Sequence, residues 1–95
     1  MSKIGGYTEA RKADEKIREL CNQVKDQVET KTGKEYKQLT AILYRTQVVA
    51  GKNFLIKVDV GDPNCLHLLL YRDLSDRVEV MKVEEHKKDD PLVPF

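Results

Sequence analysis

The run from Leu39 to Val60, LTAILYRTQVVAGKNFLIKVDV, decides how this chain folds. Apolar residues recur at every second position on both sides of its middle, the period of a β-strand whose two faces meet different surroundings. Leu39, Ala41 and Leu43 share one face of the first half, and Ile42 and Tyr44 share the other. In the second half Phe54, Ile56, Val58 and Val60 alternate with Leu55, Lys57 and Asp59, the pattern of a half-buried strand. The run covers 22 residues, whereas strands in globular proteins seldom exceed about 10, so it must reverse. Gly51 is its one residue that readily takes a positive φ. The reversal therefore falls near Val49-Ala50-Gly51, and Val48 and Val49 are carried toward a hairpin tip.

Turns are ordinarily built from Gly, Pro, Asn, Asp and Ser, and Gln47-Val48-Val49-Ala50-Gly51 has only the glycine. An exposed valine forgoes about 1.5–3 kcal/mol of burial. Two readings follow from the residues alone. Either a bulge bends the strands at a corner and the valines pack beneath the helix, or an apolar tip is held out for the cleft of a partner.

Outward from this run the pattern is regular. Residues 1–13 are polar, contain Gly5-Gly6 and lack apolar periodicity, so they read as an extended segment. Asp14 suits a helix N-cap, with Glu15 in the first turn. Ile17, Leu20, Cys21, Val24 and Val28 then make one apolar stripe at helical spacing, and Gly33 is a natural stop. One helix is expected from Glu15 to Thr32. Beyond Val60, Gly61-Asp62-Pro63-Asn64 is a turn. Cys65 to Tyr71 is a strand with Leu66, Leu68 and Leu70 inward, Asp73 to Asp76 a short connection, and Val78 to Val83 a further strand. His86 to Asp90 reads as a solvated loop, and the apolar end, Pro91 to Phe95, is expected to dock on the domain. A helix with one apolar stripe and a sheet needing one face covered make an α+β fold.

The bulk numbers are consistent with one small domain spanning residues 1–95. A chain of 95 residues buries roughly 60–70 % of its unfolded surface. With 17 basic against 16 acidic residues, nothing marks a nucleic-acid or anionic-membrane ligand. No apolar run approaches the ~18 residues of a membrane span, and MSKIGGYTEARKADEK has no secretory core; a cytosolic protein is expected. Cys21 and Cys65 then read as free thiols. With His67 and His86 they match no zinc-ligand spacing, so no metal or cofactor is expected.

QVVAG followed by Lys52-Asn53-Phe54-Leu55-Ile56-Lys57-Val58 resembles the first-hairpin signature of the cystatins. The chain is most similar to a stefin, a cystatin without signal peptide or disulfides. The resemblance runs nearly end to end: Ile4-Gly5-Gly6, the helix, Tyr44-Arg45-Thr46-Gln47-Val48-Val49-Ala50-Gly51, Gly61-Asp62, Leu66-His67-Leu68, and Lys88-Asp89-Asp90 before Phe95. It implies a cystatin-like α+β fold, one long helix packed across a twisted antiparallel sheet of four to five strands, with residues 1–13 as an amino-terminal trunk. It implies a reversible, tight-binding competitive inhibitor of papain-like cysteine proteases, among them papain and the lysosomal cathepsins. The expected contacts are Ile4, Gly5 and Gly6 of the trunk, Gln47, Val48, Val49, Ala50 and Gly51 of the first hairpin, and Leu74 and Ser75 of the second. A cytoplasmic monomer is implied for the active form, with a domain-swapped dimer as its alternative state. The second hairpin departs from the family pattern. Stefins usually carry Leu-Pro there, and Ser75 lacks the fixed φ of proline. On that ground Ser75→Pro is expected to be tolerated.

Two rivals remain. Cys65 and His67 lie two apart on a strand and so on one face, but a cysteine hydrolase also needs an oxyanion site, and no Gly-rich stretch near Cys65 supplies one. His67 is expected outward or at an edge, and an enzyme is not expected. The second rival is a non-inhibitory α+β interaction domain of the same fold, since fold alone does not settle function.

Overall fold

The computed structural model describes residues 6–61 and 63–95; Ile4, Gly5 and Asp62 lie outside them. In chain order the elements are β1 (Arg11–Lys12), α1 (Glu15–Gln23), α2 (Lys25–Thr32), β2 (Thr40–Val49), β3 (Gly51–Asp59), β4 (Asn64–Arg72) and β5 (Val78–Lys87). The five strands form one antiparallel sheet in the order β1-β2-β3-β4-β5. The α+β fold expected from the sequence is the fold observed. The fifth strand is β1, within the segment expected to be merely extended.

The helical region starts where its cap dictates. The Asp14 carboxylate accepts from the Ile17 backbone N–H at 3.0 Å, satisfying one of the first-turn donors that have no helical partner. It ends at Gly33, whose φ of 71° is left-handed and whose N–H bonds the Glu29 carbonyl at 2.8 Å. The single helix expected from Glu15 to Thr32 is instead two segments meeting at Val24, with φ −102° and ψ 7°. The Val24 N–H still bonds the Leu20 carbonyl, at 3.2 Å, and the Val24 carbonyl accepts from Val28 at 3.0 Å. The break is therefore a bend in one continuous path. It falls at a fully buried β-branched residue and leaves the apolar stripe intact on both sides.

That stripe packs on one sheet face. Ile17, Leu20, Cys21, Val24 and Val28 meet Ala41, Phe54, Ile56, Val58, Leu66, Leu68, Leu70 and Val80 in one core. The expected face of β2 changes partway along. A bulge between Ala41 and Leu43 leaves Ile42 without a partner in β3 and 38 % exposed, its carbonyl accepting from the Ala13 N–H on the other side at 2.8 Å. Beyond it Tyr44, not Leu43, packs against the core. Strand alternation assumes one residue per pleat, and a single extra residue exchanges the faces.

The sheet is also covered on its other side, so β3 is not half-buried. Leu55, Lys57, Cys65 and His67 are all buried there. The carboxy-terminal segment returns over this face, as expected for Pro91 to Phe95, with Leu92 4 % exposed. Buried Lys57 donates to the Lys88 and Asp90 carbonyls at 2.7 and 2.5 Å. A buried ammonium needs such partners to offset its lost hydration. Strand β5 runs through His86 to Lys87, beyond the expected Val83, so His86 is not in a loop. On the helix side Gln27 closes the β5 edge. Its carboxamide donates to the Val78 carbonyl at 3.0 Å and accepts from the Val80 N–H at 2.8 Å, occupying groups that an exposed edge would offer to another chain.

Candidate functional site

The topology brings three segments to one end of the sheet. In an antiparallel sheet β2 and β3 turn at the same end as β4 and β5, and a strand entering beside β2 begins there too. The β2–β3 pairing runs through Gln47–Asn53 and Val48–Lys52 to Val49–Gly51, leaving Ala50 at the apex. QVVAG is thus a hairpin tip, and the corner reading, with its valines under the helix, is set aside. Val48 is 68 % exposed and Val49 38 %.

The tip is narrow for a steric reason. Gly51 has φ 102°, a conformation that side chains rarely adopt. A Cβ there would overlap the Arg72 carbonyl oxygen and lie 3.0 Å from the Tyr71 hydroxyl. Tyr71 lies over the turn and donates from its hydroxyl to the Ala50 carbonyl, fastening the first tip to β4 just before the second loop. Below it the Asn53 amide donates to the Gln47 side-chain oxygen at 2.7 Å. Gln47 is half-buried and braces the stem, whereas Val48, Val49 and Ala50 face solvent.

The second tip is a five-residue turn organised by Asp73. Its carboxylate oxygen Oδ1 accepts from the Ser75 N–H at 2.8 Å and the Arg77 N–H at 3.0 Å. The Asp73 N–H bonds the Arg77 carbonyl at 2.9 Å, and Asp76 takes φ 65°. Leu74 is held outward, 82 % exposed, and Ser75 is exposed beside it. The Ser75 N–H that proline would remove is in use, which argues against the expectation that proline would be tolerated there.

The described part of the trunk enters beside the first hairpin. The Thr8 N–H donates to the Thr46 carbonyl at 2.8 Å, and the Thr46 N–H to the Thr8 hydroxyl at 3.1 Å. Gly6, two residues back from Thr8, is exposed. The QVVAG tip and Leu74-Ser75 therefore share one end of the sheet, with Thr8 paired to the first hairpin at Thr46. The shoulder of that end is basic: Lys52 Nζ and Arg72 Cζ lie 5.7 and 5.1 Å from the centre of the Phe54 ring, within cation–π range. This cation pair was not anticipated, although residues placed opposite each other after two successive reversals were its signal.

The residues of the enzyme reading have a different setting. Cys65 is buried with its thiol raised, burial being the main cause, and it donates to the Lys87 carbonyl at 3.5 Å. His67 is not outward. It is 1 % exposed, stacks on His86 with centroids 4.0 Å apart, and is lowered to about 4 by burial, then by the charge of His86 and Lys57. Near neutral pH Cys65 stays a protonated thiol, and the lowered His67, though neutral, is too weak a base to activate it. Among the described residues no group of three His, Cys, Asp or Glu side chains could hold a metal ion, and no helix is long and apolar enough to cross a membrane.

A bent helix over a five-stranded antiparallel sheet, with two hairpin tips at one end, is a cystatin-like α+β fold. A family profile described as the cystatin domain matches residues 5–89. The protein "Cystatin-A" of Felis catus is 46 % identical over 95 residues, covering 96 % of this chain and 97 % of that protein. "Leukocyte cysteine proteinase inhibitor 1" of Sus scrofa is 43 % identical over 95 residues, 96 % of this chain and 92 % of its own length. "Cystatin-A" of Homo sapiens is 40 % identical, with coverages of 96 % and 97 %. The chain belongs to the cystatin family, and within it to the stefins, the type 1 cystatins. It is not an enzyme.

Proposed function

We propose that this chain is a reversible, tight-binding competitive inhibitor of papain-like cysteine proteases, papain and cathepsins included. The observation that carries the proposal is the exposed apolar tip, Val48 and Val49, held rigid by the Gly51 turn and the Tyr71 hydroxyl bond. A tip already fixed in one conformation loses little entropy when a cleft closes round it. The names of its relatives, one of them a cysteine proteinase inhibitor, support the same reading. The contacts are Ile4, Gly5 and Gly6, then Val48, Val49, Ala50 and Gly51, then Leu74 and Ser75, with Gln47 bracing the stem. Family membership supports a cytoplasmic protein, active as a monomer.

The edge offers apolar side chains and backbone, and no group that reacts. Inhibition then comes from filling the cleft on both sides of the protease's catalytic cysteine, with no peptide bond placed for attack. Binding should survive a small alkyl cap on that cysteine, be lost with a bulky one, and leave the inhibitor uncut. Calorimetry against papain in its free and capped forms, with mass spectrometry of the recovered chain, tests this. Loss of binding on small capping, or stoichiometric cleavage near Gly51, would replace the wedge with a substrate-like mechanism. Absence of inhibition across papain and a cathepsin panel would leave a non-inhibitory interaction domain.

A further inference from the structure

The two ends of the chain meet at one side chain. Arg45 lies on the sheet face away from the helix, opposite Leu55 in the β2–β3 register. Its Nε donates to the Thr8 carbonyl at 2.8 Å, and its Nη1 donates to the Leu92 carbonyl at 2.8 Å. Thr8 belongs to the trunk and Leu92 to the returning carboxy-terminal segment, 37 and 47 residues away from Arg45 respectively. Both acceptors are backbone oxygens in irregular chain, whose hydrogen bonds are not supplied by a sheet ladder.

Guanidinium is suited to this task. It presents several N–H donors in a rigid plane, so one side chain reaches two acceptors in different directions. A lysine ammonium at the same place is a single nitrogen on a flexible stem. Leu92 is buried and gives the second arm a fixed anchor. Among the described residues the trunk's hydrogen bonds to β2 are those of the two-residue β1, the Thr8–Thr46 bonds and, at its far end, the Ala13 N–H to the Ile42 carbonyl at 2.8 Å. Short pairing at an edge frays readily, yet Gly6 and the residues before it must lie along the first hairpin if they are to enter the same cleft.

We propose that Arg45 is a positioning residue for protease binding: it clasps the trunk at Thr8 to the carboxy-terminal segment at Leu92 and so fixes, beside the first hairpin, the point from which the preceding residues reach a protease. The proposal rests on the wedge reading above. Arg45 itself touches no protease in this picture and acts only through the trunk.

The test combines two variants, Arg45→Met and the milder Arg45→Lys, with deletion of residues 1–5. Dissociation from papain is measured for each variant in the full chain and in the truncated chain, and amide exchange is followed at Thr8. In the full chain Arg45→Met should speed dissociation about tenfold, since interface changes act mainly on off-rates. In the truncated chain the same substitution should change it by less than about twofold, because residues that act through one another do not add. Arg45→Lys, able to keep one acceptor, should fall between. Thr8 exchange should quicken with Arg45→Met while Leu55 exchange holds. Equal dissociation factors in the two backgrounds would make Arg45 a general stabiliser and overturn the proposal, as would unchanged Thr8 exchange. Val49→Asp serves as the control for the reading beneath it. If that variant inhibits as well as the parent, the wedge fails, and Thr8 exchange still judges the clasp.

Discussion

Gly51 and Val49 lie two residues apart and fail differently when changed. Val49 is 38 % exposed at the end of its strand and outside the core cluster, so Val49→Asp leaves the core packing in place. Its stability should stay within about 0.5 kcal/mol of the parent, while inhibition weakens at least tenfold, about 1.4 kcal/mol. Gly51→Ala strains the backbone and drives a Cβ into the Arg72 carbonyl. It should lower stability by about 1–3 kcal/mol and weaken inhibition as well, by displacing the tip. Matched thermal melts and inhibition constants separate the two, and a large melting shift for Val49→Asp would return the valine to the core. The tip was legible because a 22-residue alternation with one glycine has one place to turn. The hydroxyl bond from Tyr71 was not. It joins residues 21 apart, and no local pattern announces which tyrosine reaches which carbonyl.

At the level of elements, the second hairpin shows what a missing proline is replaced by. Proline stiffens a loop through φ; here Asp73 does so by accepting from two N–H groups across the turn. Ser75→Pro removes one of those donors and should cost about 0.5–1.5 kcal/mol of stability, with faster dissociation from papain as Leu74 loses its fixed projection. Asp73→Ala removes both bonds and should cost more, while Ser75→Ala should be nearly silent. If urea unfolding shows Ser75→Pro as stable as the parent, the turn has a second conformation and the Asp73 bracing is dispensable. Four of the five strands and most of their inward faces could be read from period alone; β1, in a segment without apolar periodicity, could not. The bulge at Ile42 could not, because Ala41-Ile42-Leu43-Tyr44 is apolar throughout and gives alternation no contrast. The bend at Val24 escaped for a related reason, since it occurs without Gly or Pro and leaves the helical stripe in phase.

The molecule as a whole is stratified from end to end. The binding edge lies at the hairpin tips, and the face beneath the carboxy-terminal segment carries a titrating stack about 20 Å along β3, six residues from Gly51 to Lys57 at ~3.3 Å each. The charged or titrating groups facing His67 are His86, Lys57, Asp90 and Glu84, and its Nε2 is buried with no hydrogen-bond partner among the described residues. Sequence reading placed His67 outward or at an edge, because a histidine between leucines looks like the polar half of an alternation; instead it is buried on an interior strand with His86 of β5 stacked on it. In the unfolded chain His67 takes a proton below its ordinary 6.5, and in the folded one only near about 4. Stability that is present above pH 6.5 is therefore lost as pH falls toward 4, with an upper bound of about 3 kcal/mol. His86 has the opposite sign. Against a cost of burial, its bonds to Asp90 and Glu84, at 3.0 and 3.1 Å, raise it, so its contribution is complete at low pH and fades as pH rises through its folded value. His86 is thus charged before His67 and opposes the second proton. His67→Phe keeps a ring on the stack and removes both the titration and the orphaned nitrogen. That variant should be more stable than the parent at pH 7, by about 1 kcal/mol, and should lose less between pH 7 and pH 4.5. Urea midpoints at the two values measure the difference, and parallel losses in parent and variant would place the acid sensitivity elsewhere. With the tip so far from the stack, inhibition by the fraction still folded at pH 4.5 should match in the two proteins. Acid would then reach inhibition only by lowering the folded population.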